Sequence, residues 1–440
     1  MVALPQPTER SDEEPARPTP APPPTTPPAG PLGEAAVAAL LDPLVGRLRE
    51  ELVAFRRDLH AHPELSRHEE RTSRVVAERL AAAGLAPRPL PGGTGLLVDV
   101  RPGGNGRPGS PALALRADLD ALPILEITGA PYASTVPGVS HACGHDVHTT
   151  VVLGAGLVLA ELARAGRLAV PVRLVFQPAE EVMPGGALDV LAAEGLEGVG
   201  RILAVHCDPS IPVGTIGVRS GPITAAADML RIKLTGPGGH TARPHLTGDL
   251  VQGLATVATG LPAVLSRRVD ARAGLSVVWG AIQAGQAANA IPDGGTLAGT
   301  LRCLDPDVWE RAPQLVQELV PALVAPYGLH CEIDHARGVP PVVNDPAAAA
   351  LLERAGRVTL GPSAVGSTPQ SMGGEDFAWY LRALPGALAR LGTAEPGHEG
   401  SRDLHQGGFD VDERAIPAGV RLLAGAALLA SPGVGGQPPR

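Results

Sequence analysis

Aromatic side chains make up only 2% of the 440 residues, so any core must be assembled from Ala, Val, Leu and Ile. Lysine is almost missing: Lys233 is the only one, and every other strong base is an arginine. That skew fits GC-rich coding better than any function. Positive charge is not in excess either. With 36 Lys and Arg against 45 Asp and Glu the net charge is −9, which argues against nucleic acid or an anionic membrane as the main partner. The four cysteines, Cys143, Cys207, Cys303 and Cys331, are too few and too scattered for a disulfide framework. No uninterrupted apolar run of about 18 residues occurs, so no membrane span is expected. The start, MVALPQPTERSDEEP, is broken by charge and proline and lacks the apolar stretch of a signal peptide. A reducing cytoplasm is the expected location.

The length suggests two domains, because single cores rarely grow past about 250–300 residues. Residues 1–34 are rich in Pro, Thr and Ala without apolar periodicity and are expected to be a disordered tail; residues 433–440 read as a flexible tail. Between them, the β-like runs Leu96–Val100, Ala112–Leu115, Val172–Phe176 and Ile202–Val205 alternate with Ala/Leu-rich helical stretches. That alternation predicts an α/β sheet with helices on both faces. From Asp228 the texture changes. MLRIKLTG reads as a strand, Leu250–Ser266 as a helix, Leu275–Gln283 and Gly295–Leu304 as strands, Val308–Tyr327 as a helix and His330–Asp334 as a strand. This βαββαβ order is that of a ferredoxin-like α+β domain. The expected division is a discontinuous α/β domain over 35–226 and 339–432, with an inserted domain over 227–338.

Polar clusters follow the β-runs. Arg116-Ala-Asp118-Leu-Asp120 succeeds the second, Gln177-Pro-Ala-Glu180-Glu181 the third and His206 the fourth, while Ala389–Leu391 precedes His405 at a distance. In open α/β sheets ligands bind at the carboxyl ends of strands, so these residues suggest one convergent site. The densest cluster is His141-Ala-Cys143-Gly-His145-Asp146-Val-His148. Three histidines, a thiol and a carboxylate within eight residues form a borderline-soft donor set suited to Zn, Mn, Co or Ni. The bland alternative is a solvated His-rich loop with a buried structural cysteine. Neighbouring Glu180 and Glu181 on a strand-end loop point different ways, so one can bind a metal while the other acts as a base; a lone Glu-Glu pair would more often be surface charge. As single residues, His206 and His405 would more often be satisfied histidines than ligands, and His398 and Asp403 compete with His405. Gly238-Gly-His240 is weak by itself. No Walker loop, Gly-x-Ser-x-Gly elbow or Rossmann fingerprint is present, and Gly103-Gly-Asn-Gly reads as a loop.

Taken in order, these motifs resemble the di-metal aminoacylase-type amidohydrolases, the group of hippurate hydrolase, the plant auxin-conjugate hydrolases and, more distantly, carboxypeptidase G. The matching elements are Arg57-Asp-Leu-His60-Ala-His-Pro63-Glu64, Arg116-Ala-Asp118-Leu-Asp120-Ala-Leu-Pro123, His141-Ala-Cys143-Gly-His145-Asp146 and Phe176-Gln-Pro-Ala-Glu180-Glu181. They continue with Gly238-Gly-His240, Ala288-Asn289-Ala-Ile291-Pro292-Asp293, Gly374-Glu375-Asp376-Phe377 and Leu404-His405. The resemblance implies a zinc-peptidase-like catalytic domain carrying an inserted lid and dimerisation domain, and two divalent ions (Zn, Mn or Co) per subunit of a homodimer. It implies that Cys143 bridges the ions, with Glu181 and His405 on one and His145 and His206 on the other. Glu180 then serves as general base toward a metal-activated water, and Asp118 orients a ligating histidine. Arg116 stands where distant relatives place a metal-ligating His, which leaves His145 as the replacement. In the inserted domain His240 would polarise the scissile carbonyl, and Asn289 and Arg302 would grip a substrate carboxylate or carbonyl. Val182-Met183-Pro184 and the charged loop at 395–402 depart from the pattern and are expected to shape specificity.

The leading reading is hydrolysis of the amide bond in small N-acyl amino acids or related conjugates bearing a free carboxylate. A metallo-di- or carboxypeptidase acting on short peptides would share the catalytic residues. A non-catalytic metal- or ligand-binding protein on the same scaffold would be expected to lack the base, whereas Glu180 is present.

Overall fold

The computed structural model describes Met1 and residues 32–102, 112–398 and 402–430. Apart from Met1 and residues 32–34, the expected N-terminal tail lies outside the described residues, as do the 433–440 tail and the Gly103-Gly-Asn-Gly loop. The chain opens with α1 (Glu34–Ala61) and α2 (Glu70–Ala82), then β1 (Arg88–Pro89), β2 (Leu96–Val100), β3 (Ala112–Asp118), α3 (His145–Arg164) and β4 (Val172–Gln177). Next come α4 (Ala187–Ala192), β5 (Val199–Pro212), β6 (Ile216–Val218) and β7 (Gly221–Thr224). The middle of the chain forms β8 (Ala226–Thr235), β9 (Gly239–His240), α5 (Leu250–Arg268), β10 (Ser276–Ala284), β11 (Ala290–Ile291), β12 (Gly294–Cys303), α6 (Pro306–Val324) and β13 (His330–Val339). The remainder is β14 (Val342–Asn344), α7 (Pro346–Thr359), β15 (Val365–Ser367), α8 (Ala378–Leu381), β16 (Gly386–Ala394) and α9 (Ala415–Leu429).

Eight strands form the large sheet in the order β1-β2-β4-β3-β5-β16-β6-β15, with β4, β3, β5 and β16 mutually parallel at its centre. Such strands are buried on both faces and read as continuous apolar runs. In β4, Val172, Leu174 and Phe176 enter the core shared with α1, α3, α7 and α9, while Val175 points to the opposite core with Phe377 and Tyr380. Helix α3 is the one described helix long and apolar enough to cross a membrane, and 94% of its apolar window is buried inside the fold. It is a core helix carrying Gly154 and Gly156, where Val420 and Leu52 at the first and Leu174 at the second crowd the place a Cβ would take.

The second sheet has four antiparallel strands in the order β10-β12-β8-β13. By position in the chain this is the second, third, first and fourth strand of the βαββαβ unit, the ferredoxin-like arrangement. Its inner face packs Leu230, Ile232, Leu234, Leu297 and Leu301 against α5 and α6. The pair β7–β14 marks where the chain leaves the large sheet and returns. The α/β fold with a ferredoxin-like insertion is thus realised.

Candidate metal centre

The parallel registers bring the chemistry to one end of the large sheet. Strand β3 pairs with β4 as far as Asp118 opposite Gln177, so the Glu180-Glu181 turn begins beside Asp118. His206 is not at a strand end: β5 runs on to Pro212. Its pairing with β3 stops at Ala204, however, while pairing with β16 continues past Arg390 opposite His206. His206 therefore lies just past the point where β3 and β5 part. Gly144 starts α3 with φ 82°, and a Cβ there would lie 2.8 Å from the Cys207 sulfur. A glycine is required at that point for the chain to turn between Cys143 and His145.

Several sets of donor atoms converge here, and two of them share Cys143. Cys143, His145 and His206 offer atoms within 4.8 Å of one another, all from buried residues; Cys143, Glu181 and His405 do the same on a more open side. The Cys143 sulfur is 3.6 Å from His206 Nε2, His405 Nε2 is 3.3 Å from Glu181 Oε1 and His145 Nε2 is 3.8 Å from the same oxygen. His145 Nε2 and Glu181 Oε1 are buried without a hydrogen-bond partner. Orphaned buried donors and acceptors are costly unless something else engages them, and this thiolate, imidazole and carboxylate set fits divalent ions.

The surroundings tune these groups. His206 donates Nδ1–H to the Cys207 carbonyl at 2.8 Å, leaving Nε2 with its lone pair inward; burial, His148 and Arg390 hold this ring well below the usual imidazole range. Burial and Glu181 push the Cys143 thiol well up, so a nearby cation is what would favour its thiolate. Burial opposes the charged form of His145, but Asp118 and Cys143 prevail and raise it. Glu180 lies 4.0 Å from His145 Nε2 and clusters with Glu375 and Asp376. Burial and the charges of Glu375, Glu181 and Asp376 drive its carboxyl well above the normal range. Burial likewise raises Asp376 to about 7 against the pull of Arg116.

Of the residues expected from the sequence, Cys143, His145, Glu180, Glu181, His206 and His405 come together. Asp118 is present too, but its partners differ from expectation. It accepts from His148 Nδ1 at 2.7 Å and from Arg116 at 2.6 Å, and it is Asp120 that faces His145 Nδ1, at 3.3 Å. Arg116 is buried among Asp118, Glu375 and Asp376. His141 stays outside both donor groups, with its ring nitrogens unpartnered and burial lowering it to about 4. His240 and Asn289 sit side by side on the β9–β11 ribbon, exposed, and touch none of the donor residues among the described ones. Arg302 is half-buried on the outer face of the small sheet, opposite Ala227. A Cβ on Gly374 would lie 2.9 Å from Ala227 Cβ, so this face overlooks the Glu375 loop. Asp305 caps α6, and no described ion pair joins it or Asp307 to Arg302. Part of the 395–402 loop, residues 399–401, lies outside the described residues. Asp120, His148, Glu375 and Asp376 carry contacts the sequence reading did not assign, although each stood inside a motif it had noted.

The chain is 51% identical over 374 residues to a Rhodococcus jostii protein named for glutamate–cysteine ligase, covering 85% of this chain but 46% of that protein; it spans less than half of that relative's length. It is 37% identical over 370 residues to N-acetyl-L-cysteine deacetylase of Bacillus subtilis, covering 84% of this chain and 85% of that protein. The crystal structure of the Bacillus subtilis YXEP protein, described as a dinuclear metal binding peptidase, superposes with a TM-score of 0.75 at 33% identity, covering 87% of this chain and 98% of that one. Residues 114–429 match the family profile itself, and the chain belongs to peptidase family M20/M25/M40.

Proposed function

We propose that the protein hydrolyses the amide bond of small N-acyl amino acids, using two divalent ions and Glu180 as general base. The observation that carries this reading is Cys143 standing in both donor groups with Glu180 against them. Cys143, His145 and His206 would hold one ion and Cys143, Glu181 and His405 the other, and when bound the ions supply Lewis-acid activation of water and of the amide carbonyl. Glu180 accepts the proton of the attacking water and returns it to the leaving nitrogen. Arg302, free of any described ion pair and facing the Glu375 loop, is available to a substrate carboxylate through two parallel hydrogen bonds. His240 and Asn289 would serve the carbonyl and carboxylate from a second subunit of a homodimer. The edge strand β10 presents exposed Val278 and Ile282, a natural pairing edge.

Both curated relatives described above carry names that concern cysteine, which makes N-acylated cysteine the first substrate to assay. The test is a panel of N-acetyl, N-benzoyl and N-indolylacetyl amino acids, N-acetylcysteine among them, alongside dipeptides, with enzyme stripped and reloaded with Mn, Zn or Co. The reading expects N-acyl amino acids to exceed dipeptides. Turnover confined to dipeptides, or none with any metal, overturns it.

A further inference from the structure

The segment from Pro63 to Glu69 takes no part in the chemistry above, yet its Glu69 side chain reaches the turn that carries Glu180 and Glu181, and its Ser66 side chain reaches Asp120, which holds that turn. Leu65 bridges to Ala121, and the Ala121 amide donates to the Glu64 carbonyl at 2.8 Å, which lays this segment along Asp120. Ser66 Oγ then donates to Asp120 Oδ2 at 2.6 Å. The same Oδ2 accepts the Glu181 backbone amide at 2.9 Å, while Oδ1 lies 3.3 Å from His145 Nδ1. One residue before Glu180, the Ala179 amide donates to Glu69 Oε1 at 2.7 Å. Both amides flanking Glu180 are thus held by carboxylates that are fully buried, and Ala179 sits at φ 54°, a conformation a non-glycine residue keeps only when its surroundings impose it.

We propose that Asp120 is a positioning residue that couples the two ion-binding groups: one oxygen fixes the ring of His145, the other fixes the backbone of Glu181, and Ser66 anchors the carboxylate. The inference rests on the two-ion reading given above. Donation from His145 Nδ1 to Asp120 leaves Nε2, the orphaned atom, with its lone pair directed at Cys143 and Glu181. Holding the Glu181 amide sets the direction in which that side chain leaves the turn. His145 belongs to one donor group and Glu181 to the other, so one carboxylate supports a ligand of each. Asp118 does not duplicate this: its carboxylate accepts from His148 and Arg116, and it approaches His145 only at Nε2, 3.8 Å away. An asparagine at position 120 preserves size but has a single acceptor oxygen. It must give up an acceptor either for His145 Nδ1–H or for the Glu181 amide.

The test is calorimetric titration of the metal-stripped full chain with Zn or Mn, for the wild type, Asp120→Asn and Ser66→Ala, with visible spectra of the Co-loaded proteins. Wild type is expected to bind two equivalents. Asp120→Asn should weaken both binding steps by about 10–100-fold, the usual effect of losing a group that orients a ligand, and should shift the Co absorption bands. Ser66→Ala should move both readouts the same way by less. Wild-type affinities for both ions in Asp120→Asn, or weakening of one ion with the other and the spectrum unchanged, overturn the coupling role. If Asp120→Asn does not fold, Ser66→Ala decides, and unchanged affinities and spectrum in that variant overturn the proposal. A wild-type protein that binds no ion would instead overturn the two-ion reading itself.

Discussion

His405 places Nε2 3.3 Å from Glu181 Oε1 and is the open edge of the centre, with its side chain 53% exposed against 9% for Glu181. It reaches that position from a left-handed backbone, φ 59°, with its amide tied to the Ala142 carbonyl at 2.8 Å. The other donor group, Cys143, His145 and His206, is buried throughout. Ions held behind buried ligands leave more slowly than ions with a solvent-facing one. Chelation should therefore remove two ions in two phases, the one on Glu181 and His405 first, and His405→Ala should accelerate the first phase alone. Elemental analysis at timed points during chelator exposure measures this; loss of both ions at a single rate would contradict the asymmetry.

Glu180 comes near the same centre but is turned toward Glu375 and Asp376, and its Oε1 accepts the Asp376 amide at 3.4 Å. Glu180→Gln should keep both ions and lower turnover by about 10²–10⁴-fold, the range for removing a general base. Metal content and kcat measured on one preparation decide it. Near-normal turnover sinks the assignment, and loss of an ion would show Glu180 to be a ligand.

Much of this was legible beforehand, and what was not has physical reasons. The runs at β2, β3 and β4 were readable because strands buried on both faces leave uninterrupted apolar stretches. The βαββαβ order likewise followed from the change of period along the insertion. The donor residues could be named from motif and resemblance. Their partners could not, because hydrogen bonding depends on register. Asp118 and Asp120 both look suited to orient a histidine, and only the start of α3 at Gly144 turns His148 to the first and His145 to the second. His206 is expected just past its strand because the apolar run stops at Val205, whereas pairing with β16 carries β5 onward. That no described hydrogen bond or ion pair joins His240 or Asn289 to the donor groups is a property of the tertiary arrangement, which no local pattern encodes.

Arg302 stands on the outer face of β12, opposite Ala227. Burial lowers its pKa, with Asp228 opposing, as expected for a cation without a close counter-ion. Arg302→Ala should raise KM about 10–100-fold for substrates with a free carboxylate and leave kcat nearly intact. The matched substrate with its carboxylate blocked as an amide should be unaffected. Equal losses on both substrates would mean that Arg302 supports the sheet and that the carboxylate is read elsewhere.

The buried network behind α3 gives a pH dependence whose sign can be worked out. His60 Nδ1 is 2.7 Å from Asp146 and Nε2 is 3.3 Å from Glu126; Arg56, Tyr132 and His141 complete its surroundings. Burial works against a charged His60, but Asp146 and Glu126 outweigh it and raise the ring from 6.5 to about 9. For Glu126, burial is outweighed by hydrogen bonds from His60, Thr128 and the Ser134 amide, which bring it from 4.5 to about 2. A histidine whose pKa rises on folding contributes its full stabilisation below the unfolded value and loses it as pH climbs through the folded one. A carboxylate whose pKa falls does the reverse on the acid side. The stability difference between wild type and His60→Gln should accordingly be greatest between pH 4.5 and 6.5. It should shrink toward pH 9 by an amount on the order of 3 kcal/mol, and shrink again as pH falls toward 2. Chemical denaturation of both proteins across this range measures it. A difference that stays constant from about pH 5.5 to 9.5 would show that His60 acts through packing and that its charge contributes nothing.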